Sequence, residues 1–167
     1  MFKQHFHFSW KYLAVSAATG FGLGLSPFAS GTTGTLLGIP LMFCLSAVWT
    51  GAIVWQICCC VVLAAVALPL CDAAEKHFNR KDDPRIVADE YLTFPICMIG
   101  LPICIPALGL AFITNRICDI LKPPPAYRAQ KLPGGLGIVA DDVISALYSL
   151  ALNHLLFPFL MTLWPSW

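Results

Sequence analysis

At 167 residues the chain is long enough for one domain, and 58% of it is hydrophobic against 11% charged, where soluble domains carry about a quarter charged residues. A formal net charge of +1 excludes the clustered basic footprint of a nucleic-acid partner. The spacing of the charges decides the class. No Asp, Glu, Lys or Arg occurs between Lys11 and Asp72, from Tyr91 to Asn115, or from Val143 to Trp167. Such runs match the roughly 20 apolar residues that cross a bilayer core, and a chain this short has no interior that would bury them all. The expectation is one membrane-embedded domain over 1–167.

Met1–Lys11 is a short aromatic, weakly basic lead-in, and the apolar stretch after it is too brief for a signal peptide followed by further spans. Tyr12–Gly34 is rich in Gly, Ser and Thr and reads as a short helix running into a loop. Thr35–Trp49 and Ala52–Cys71 read as two membrane helices joined at Gly51, with Trp49 and Trp55 as interface aromatics. Asp72–Asp89 is polar; Asp72 and Lys76 stand at i, i+4, and a break is expected at Pro84. Tyr91–Asn115 contains Pro95, Gly100, Pro102, Pro106 and Gly109, which favour a broken or re-entrant hairpin with its turn near Pro102 and Pro106. Arg116–Asp142 is the second polar stretch, interrupted by Pro123-Pro124-Pro125, and Val143–Leu163 reads as the last membrane helix before Trp164, Pro165 and Trp167. Lys and Arg concentrate at the N-terminus and in the two polar stretches, so the charged face is expected to be cytoplasmic.

Four groups of residues are candidates for chemistry. Gly20 to Thr35 interleaves glycines with Ser26, Ser30, Thr32, Thr33 and Thr35. Such a loop suits backbone N–H contact with phosphate, and equally suits small-residue packing between membrane helices. Asp89-Glu90 opens one apolar run, where adjacent carboxylates favour a helix start. Arg116 and Asp119 share one helix face, as a simple ion pair or as a phosphate-binding fork with Lys122 nearby. Gly134-Gly135-Leu136-Gly137 leads to Asp141-Asp142 at the edge of the last run, a costly place for two carboxylates unless they are paired or metal-bound. Five carboxylates at segment edges beside two cations and hydroxyl-rich loops suit Mg²⁺ and a phosphate. The eight cysteines form no Cys-x-x-Cys or Cys-x5-Arg pattern and read as small hydrophobes. His5, His7 and His154 read as interfacial, and His77, Asp82 and Asp83 as a solvated loop.

These groups together resemble the phosphatidylglycerophosphatase A family, bacterial enzymes that dephosphorylate phosphatidylglycerophosphate to phosphatidylglycerol. The likeness runs from Gly20 to about Tyr148 and rests on four elements. They are the loop Gly24 to Thr35, Asp89-Glu90, Arg116-x-x-Asp119-x-x-Lys122-Pro123-x-Pro125, and Gly134-Gly135-x-Gly137-x-x-x-Asp141-Asp142. The family often has Pro before its Gly-Thr, where this chain has Ala29-Ser30. The resemblance implies an all-α bundle with a phosphate site at helix N-termini, dependence on Mg²⁺, and a multi-pass place in the bacterial inner membrane. Metal ligands are then expected among Asp89, Glu90, Asp119, Asp141 and Asp142. Substrate contacts are expected from Ser30, Thr32, Thr33, Thr35, Arg116 and Lys122. With no covalent-phosphatase signature present, a water activated by Mg²⁺ is the expected nucleophile, with Asp89 or Asp142 as base and Arg116 on the phosphate. A membrane anion or metal transporter is the alternative, and charges at segment edges without inverted repeats weigh against it. A shared site requires Asp89-Glu90 and Asp119 on one side of the bilayer, so Tyr91–Asn115 must turn back.

Overall fold

The computed structural model describes residues 10–163, and within them every regular element is helical. Met1–Ser9, with His5 and His7, and the tail carrying Trp164, Pro165 and Trp167 lie outside the described residues. The helices are α1 (Trp10–Ala18), α2 (Ser30–Cys44), a single turn α3 (Ser46–Trp49), α4 (Ile53–Phe78), α5 (Ala88–Thr93), α6 (Ile105–Leu121), a single turn α7 (Ala126–Ala129) and α8 (Gly135–Leu163). A 3-10 segment, Phe94–Met98, continues α5.

Two helices, α4 and α8, are long and apolar enough to cross a membrane, yet only 22% of the most apolar window of each is buried within the protein. Val54, Trp55, Val61, Val62, Leu155 and Phe159 face outward. A soluble core helix would cover such residues; these present a surface suited to lipid. The expected Thr35–Trp49 span begins earlier, at Ser30, and is interrupted at Leu45. Its main helix of 15 residues is about 22 Å long at 1.5 Å per residue, short of a full crossing. α4 ends at Phe78 with Asn79 in the left-handed conformation, before the break expected at Pro84. The Asp72–Lys76 pair forms as expected, at 2.6 Å.

The segment around α5 is the centre of the molecule. Val87 to Met98 is buried almost throughout, joining a core around Phe94, Met98, Met42 and Ala111 to another around Leu92, Leu70, Ala74 and Ile138. Glycines on α2 allow this. A Cβ at Gly34 would collide with Glu90 and Val87, and one at Gly38 would lie 2.5 Å from the Phe94 ring. The glycine pattern of α2 therefore serves close helix packing.

The Tyr91–Asn115 run is broken near its middle, as expected. The chain leaves the 3-10 segment at Ile99, and α6 starts only at Ile105. Pro102 lies in the turn, whereas Pro106 sits in the first turn of α6, a position that spares an intrahelical donor. Side chains from other helices meet the backbone here. Asn153 donates to the Cys97 carbonyl at 3.0 Å and Trp49 to the Met98 carbonyl at 3.0 Å. The His154 ring meets the Ile99 carbonyl at 2.9 Å, and the Gly100 N–H donates to Gln56 at 2.8 Å. Non-helical backbone away from water persists only with such partners.

Candidate active site

The run reverses, so the start of α5 meets the end of α6. Glu90 and Arg116 are 26 residues apart in sequence and 3.5 Å apart in space. Beside this pair, on the Glu90 side, lies a cavity of about 320 Å³ whose wall includes Ser30, Asp82, Asp89, Glu90, Asp119, Lys122, Gln130, Asp141 and Asp142. All five carboxylates singled out from sequence reach this one hollow, from α5, α6 and α8.

The last helix starts at Gly135 rather than Val143, because Gly135 packs directly against the Leu68 carbonyl of α4. Asp141 and Asp142 consequently sit in the second turn of α8, not before it, and are 3% and 7% exposed. Asp89 and Glu90 lie in the first turn of α5. Lys122 closes α6 with a left-handed backbone, φ 45°, which turns its ammonium toward Asp141, its hydrogen-bond partner, and leaves it 4.0 Å from Asp119.

Arg116 is held from three sides: by Asp119 at 2.9 Å, by Glu90 at 3.5 Å and by the Thr35 hydroxyl, which accepts from Nη1 at 3.2 Å. The ion pair read from sequence is present, and Glu90 and Thr35 add to it. The loop hydroxyls divide their tasks. Ser30, at the start of α2, lines the cavity. Thr33 donates to the Ser30 carbonyl at 2.6 Å, and Thr35 is buried under Arg116. Neither of these, nor Thr32, lines the cavity.

Asp82 and Asp83 are not a solvated loop. Asp82 has a left-handed backbone, φ 50°, lines the acidic cavity and accepts a hydrogen bond from Gln130. Asp83 is 2% exposed and accepts from the backbone N (3.1 Å), Nε (2.7 Å) and Nη2 (2.9 Å) of Arg85. Those hydrogen bonds hold its carboxyl below the usual range. In sequence both sit among Arg80, Lys81 and Arg85, where a hydrated run is the ordinary expectation; the i, i+2 spacing of Asp83 and Arg85 around Pro84 was the signal for a turn closed by its own side chains.

Three carboxylate oxygens of the cavity are buried without any hydrogen-bond partner, Asp89 Oδ1, Glu90 Oε2 and Asp142 Oδ2, as is Nε of Arg116, which pairs with Glu90 but does not itself line the cavity. Burial, then the charge of Glu90, pushes Asp89 well above the ordinary carboxyl range. Burial raises Glu90 to about 8 against the pull of Arg116. Burial also disfavours the charge on Lys122, yet its bond to Asp141 and the nearby Asp119 keep the ammonium above its ordinary value. Packed carboxylates that raise one another in this way attract positive charge. Among the described residues no three acidic, His or Cys side chains converge into a finished metal shell. Mg²⁺ does not require one, since it is commonly held by one or two carboxylates with water and substrate phosphate completing its octahedron. The unpartnered hard oxygens of Asp89, Glu90 and Asp142 fit that cation.

The family model described as phosphatidylglycerophosphatase A matches residues 16–157. A phosphatidylglycerophosphatase A of Escherichia coli is 32% identical over 144 residues, covering 84% of this chain and 78% of the relative. One from Haemophilus influenzae is 34% identical over 135 residues, 79% of this chain and 81% of the relative. A Bacteroides thetaiotaomicron protein, provisionally named a phosphatidylinositol-3-phosphatase, is 34% identical over 158 residues, 84% of this chain and 91% of the relative. No solved structure gives a significant match.

Proposed function

This chain belongs to the phosphatidylglycerophosphatase A family, and on that footing we propose that it hydrolyses the terminal phosphate monoester of phosphatidylglycerophosphate, leaving phosphatidylglycerol and inorganic phosphate. The observation that carries the reading is the set of buried carboxylate oxygens without partners, on Asp89, Glu90 and Asp142, facing one cavity with Lys122. A phosphate brought there with a divalent cation would give those oxygens the positive charge they lack.

Asp89, Glu90 and Asp142 are the residues to hold Mg²⁺, with Asp119 and Asp141 beside them. Bound there, the cation would supply positive charge to the phosphate oxygens and acidify a water. The protein's own groups divide the remaining work. Lys122 and the Arg116 fork neutralise charge that grows on the phosphoryl oxygens. Thr35 and Asp119 keep the fork aimed, as a lysine in its place would not be. Ser30, at the α2 N-terminus, offers a hydroxyl where the helix dipole favours an anion. Asp89 or Asp142 takes the proton of the attacking water. The site would face the cytoplasm of a bacterial inner membrane, with the α5–α6 hairpin entering and leaving on that side. The transporter alternative is not favoured by family membership.

Phosphate release from the lipid by purified protein in detergent tests the reading. Turnover with Mg²⁺, abolished by excess EDTA and restored by added Mg²⁺, is expected. Undiminished turnover in EDTA overturns the metal assignment, and absence of phosphate release overturns the activity.

A further inference from the structure

Beside the acidic cavity lies a second hollow of about 320 Å³, lined by Lys81, Asp82, Tyr127, Gln130 and Lys131. Asp82 and Gln130 line both hollows, so the two share a wall. That wall is built rather than incidental. Asp82 holds a left-handed backbone, a conformation that Asp adopts more readily than most residues, and Gln130 secures its carboxylate. One residue earlier, the Lys81 ammonium donates to the Lys131 carbonyl at 3.2 Å, tying the α4–α5 loop to the α7–α8 connection. The Lys131 ammonium lies 4.8 Å from the centre of the Tyr127 ring.

The second hollow differs in charge from the first. Arg116 and Lys122 are each paired with carboxylates. Among the described residues, Lys81 and Lys131 have no carboxylate within ion-pair distance. Two ammonium groups without counter-ions, beside a wall of one carboxylate and one amide, suit an anion joined to a hydroxyl-bearing link.

The substrate argued above has that form. Its head group carries two phosphates: the terminal monoester that is cut, and the phosphodiester joining glycerol to the diacylglycerol. A glycerol hydroxyl lies between them. Resting on the phosphatase reading, we propose that the second cavity is the subsite for the phosphodiester, held by Lys81 and Lys131, while the first cavity takes the monoester. The diester's single negative charge meets the two ammonium groups, neither of which has a carboxylate partner among the described residues. The hydroxyl faces Asp82 and Gln130, whose oxygens accept a hydrogen bond. The hollow thereby distinguishes this head group from a lipid whose monoester sits directly on diacylglycerol.

The test uses the double variant Lys81→Gln/Lys131→Gln, purified in neutral detergent micelles, with phosphatidylglycerophosphate as substrate and inorganic phosphate as inhibitor. KM should rise about tenfold, the size expected for lost charged hydrogen bonds, with kcat and phosphate inhibition unchanged, because phosphate probes the first cavity alone. Lys81→Arg/Lys131→Arg should keep KM close to that of the parent protein. Arg128→Gln, which removes an exposed cation lining neither hollow, should leave KM alone. An unchanged KM overturns the proposal, as does a fall in kcat alone, a proportionate weakening of phosphate inhibition, or an equal effect of Arg128→Gln. Failure of the parent protein to release phosphate from the lipid is a separate result, seen before any variant is made, and it removes the phosphatase reading and this subsite together.

Discussion

The two ends of the α5–α6 hairpin treat polar atoms in opposite ways. At the turn, the carbonyls of Cys97, Met98 and Ile99 and the N–H of Gly100 each meet a side chain, from Asn153, Trp49, His154 and Gln56. At the open end, Asp89, Glu90, Asp142 and Arg116 each keep a buried atom without a partner. An unmade buried hydrogen bond costs about 1–3 kcal/mol, more for a charged group. A fold able to satisfy four consecutive residues at one end has the means to satisfy carboxylates at the other. The contrast marks the site: apart from Glu75 Oε2 and Ser145 Oγ, the buried polar side-chain atoms left open among the described residues belong to the acidic cluster and its arginine.

The sharpest way to break this comparison is to neutralise a carboxylate at the open end. Asp142→Asn should lower turnover about 10²–10³-fold, the size expected when one transition-state electrostatic group is lost. Its unfolding midpoint in detergent should hold or rise, because a repelling buried charge is gone. A parallel loss of stability would show that Asp142 belongs to the scaffold. At the turn the signs should reverse. Asn153→Leu orphans the Cys97 carbonyl and removes the acceptor that Thr114 meets at 2.7 Å. Denaturant titration should report about 2–3 kcal/mol lost, with kcat of the folded fraction kept within about twofold, a change too small to carry a transition-state role.

Gly34→Ala tests the boundary between the two ends. Its Cβ would press on Glu90 and Val87, so about 1–3 kcal/mol of overpacking should come with lost turnover as Glu90 is displaced. Stability lost without activity would place Glu90 outside the site. The smallest effect is expected at Asp83→Asn, about 1 kcal/mol, because the Arg85 side chain is 43% open to solvent. The pH dependence has a definite sign. A carboxyl depressed in the folded state stabilises above its unfolded pKa, near 3.9, and loses that contribution as pH falls through the lower folded value. The variant and its parent should therefore converge in stability at strongly acidic pH, and a gap that widens there would contradict the Asp83–Arg85 bond.

Sequence was most informative where burial is costly. Asp89, Glu90, Asp119, Asp141 and Asp142 stood out because carboxylates at the edge of apolar runs demand a reason, and all five line one cavity. The membrane helices and the broken run followed from the apolar lengths and the prolines, and the all-helical fold was what the family resemblance implied. Asp82 was hidden for the converse reason: among Arg80, Lys81 and Arg85 a carboxylate needs no explanation. The start of α8 was misjudged because Gly134-Gly135 suggests a loop, whereas here the missing side chain allows a helix end to lie on α4. Gly31, Gly34 and Gly38 carry the spacing of a packed helix face, which composition alone does not separate from a phosphate loop. Gln56 and Asn153, isolated amides inside apolar stretches, were the readable sign of the turn, since a lone amide there needs a backbone partner.

The bonds at the turn also impose an order on biogenesis. Trp49 and Gln56 precede the hairpin in the chain, but Asn153 and His154 lie on α8 and emerge from the ribosome after it. Until α8 docks, the Cys97 and Ile99 carbonyls lack their partners, and the reversal that brings Glu90 to Arg116 is left incomplete. Asp141 and Asp142 arrive on the same helix, so one late docking event both locks the far end of the hairpin and delivers the last carboxylates to its mouth. Activity is therefore expected only once the final helix is in place.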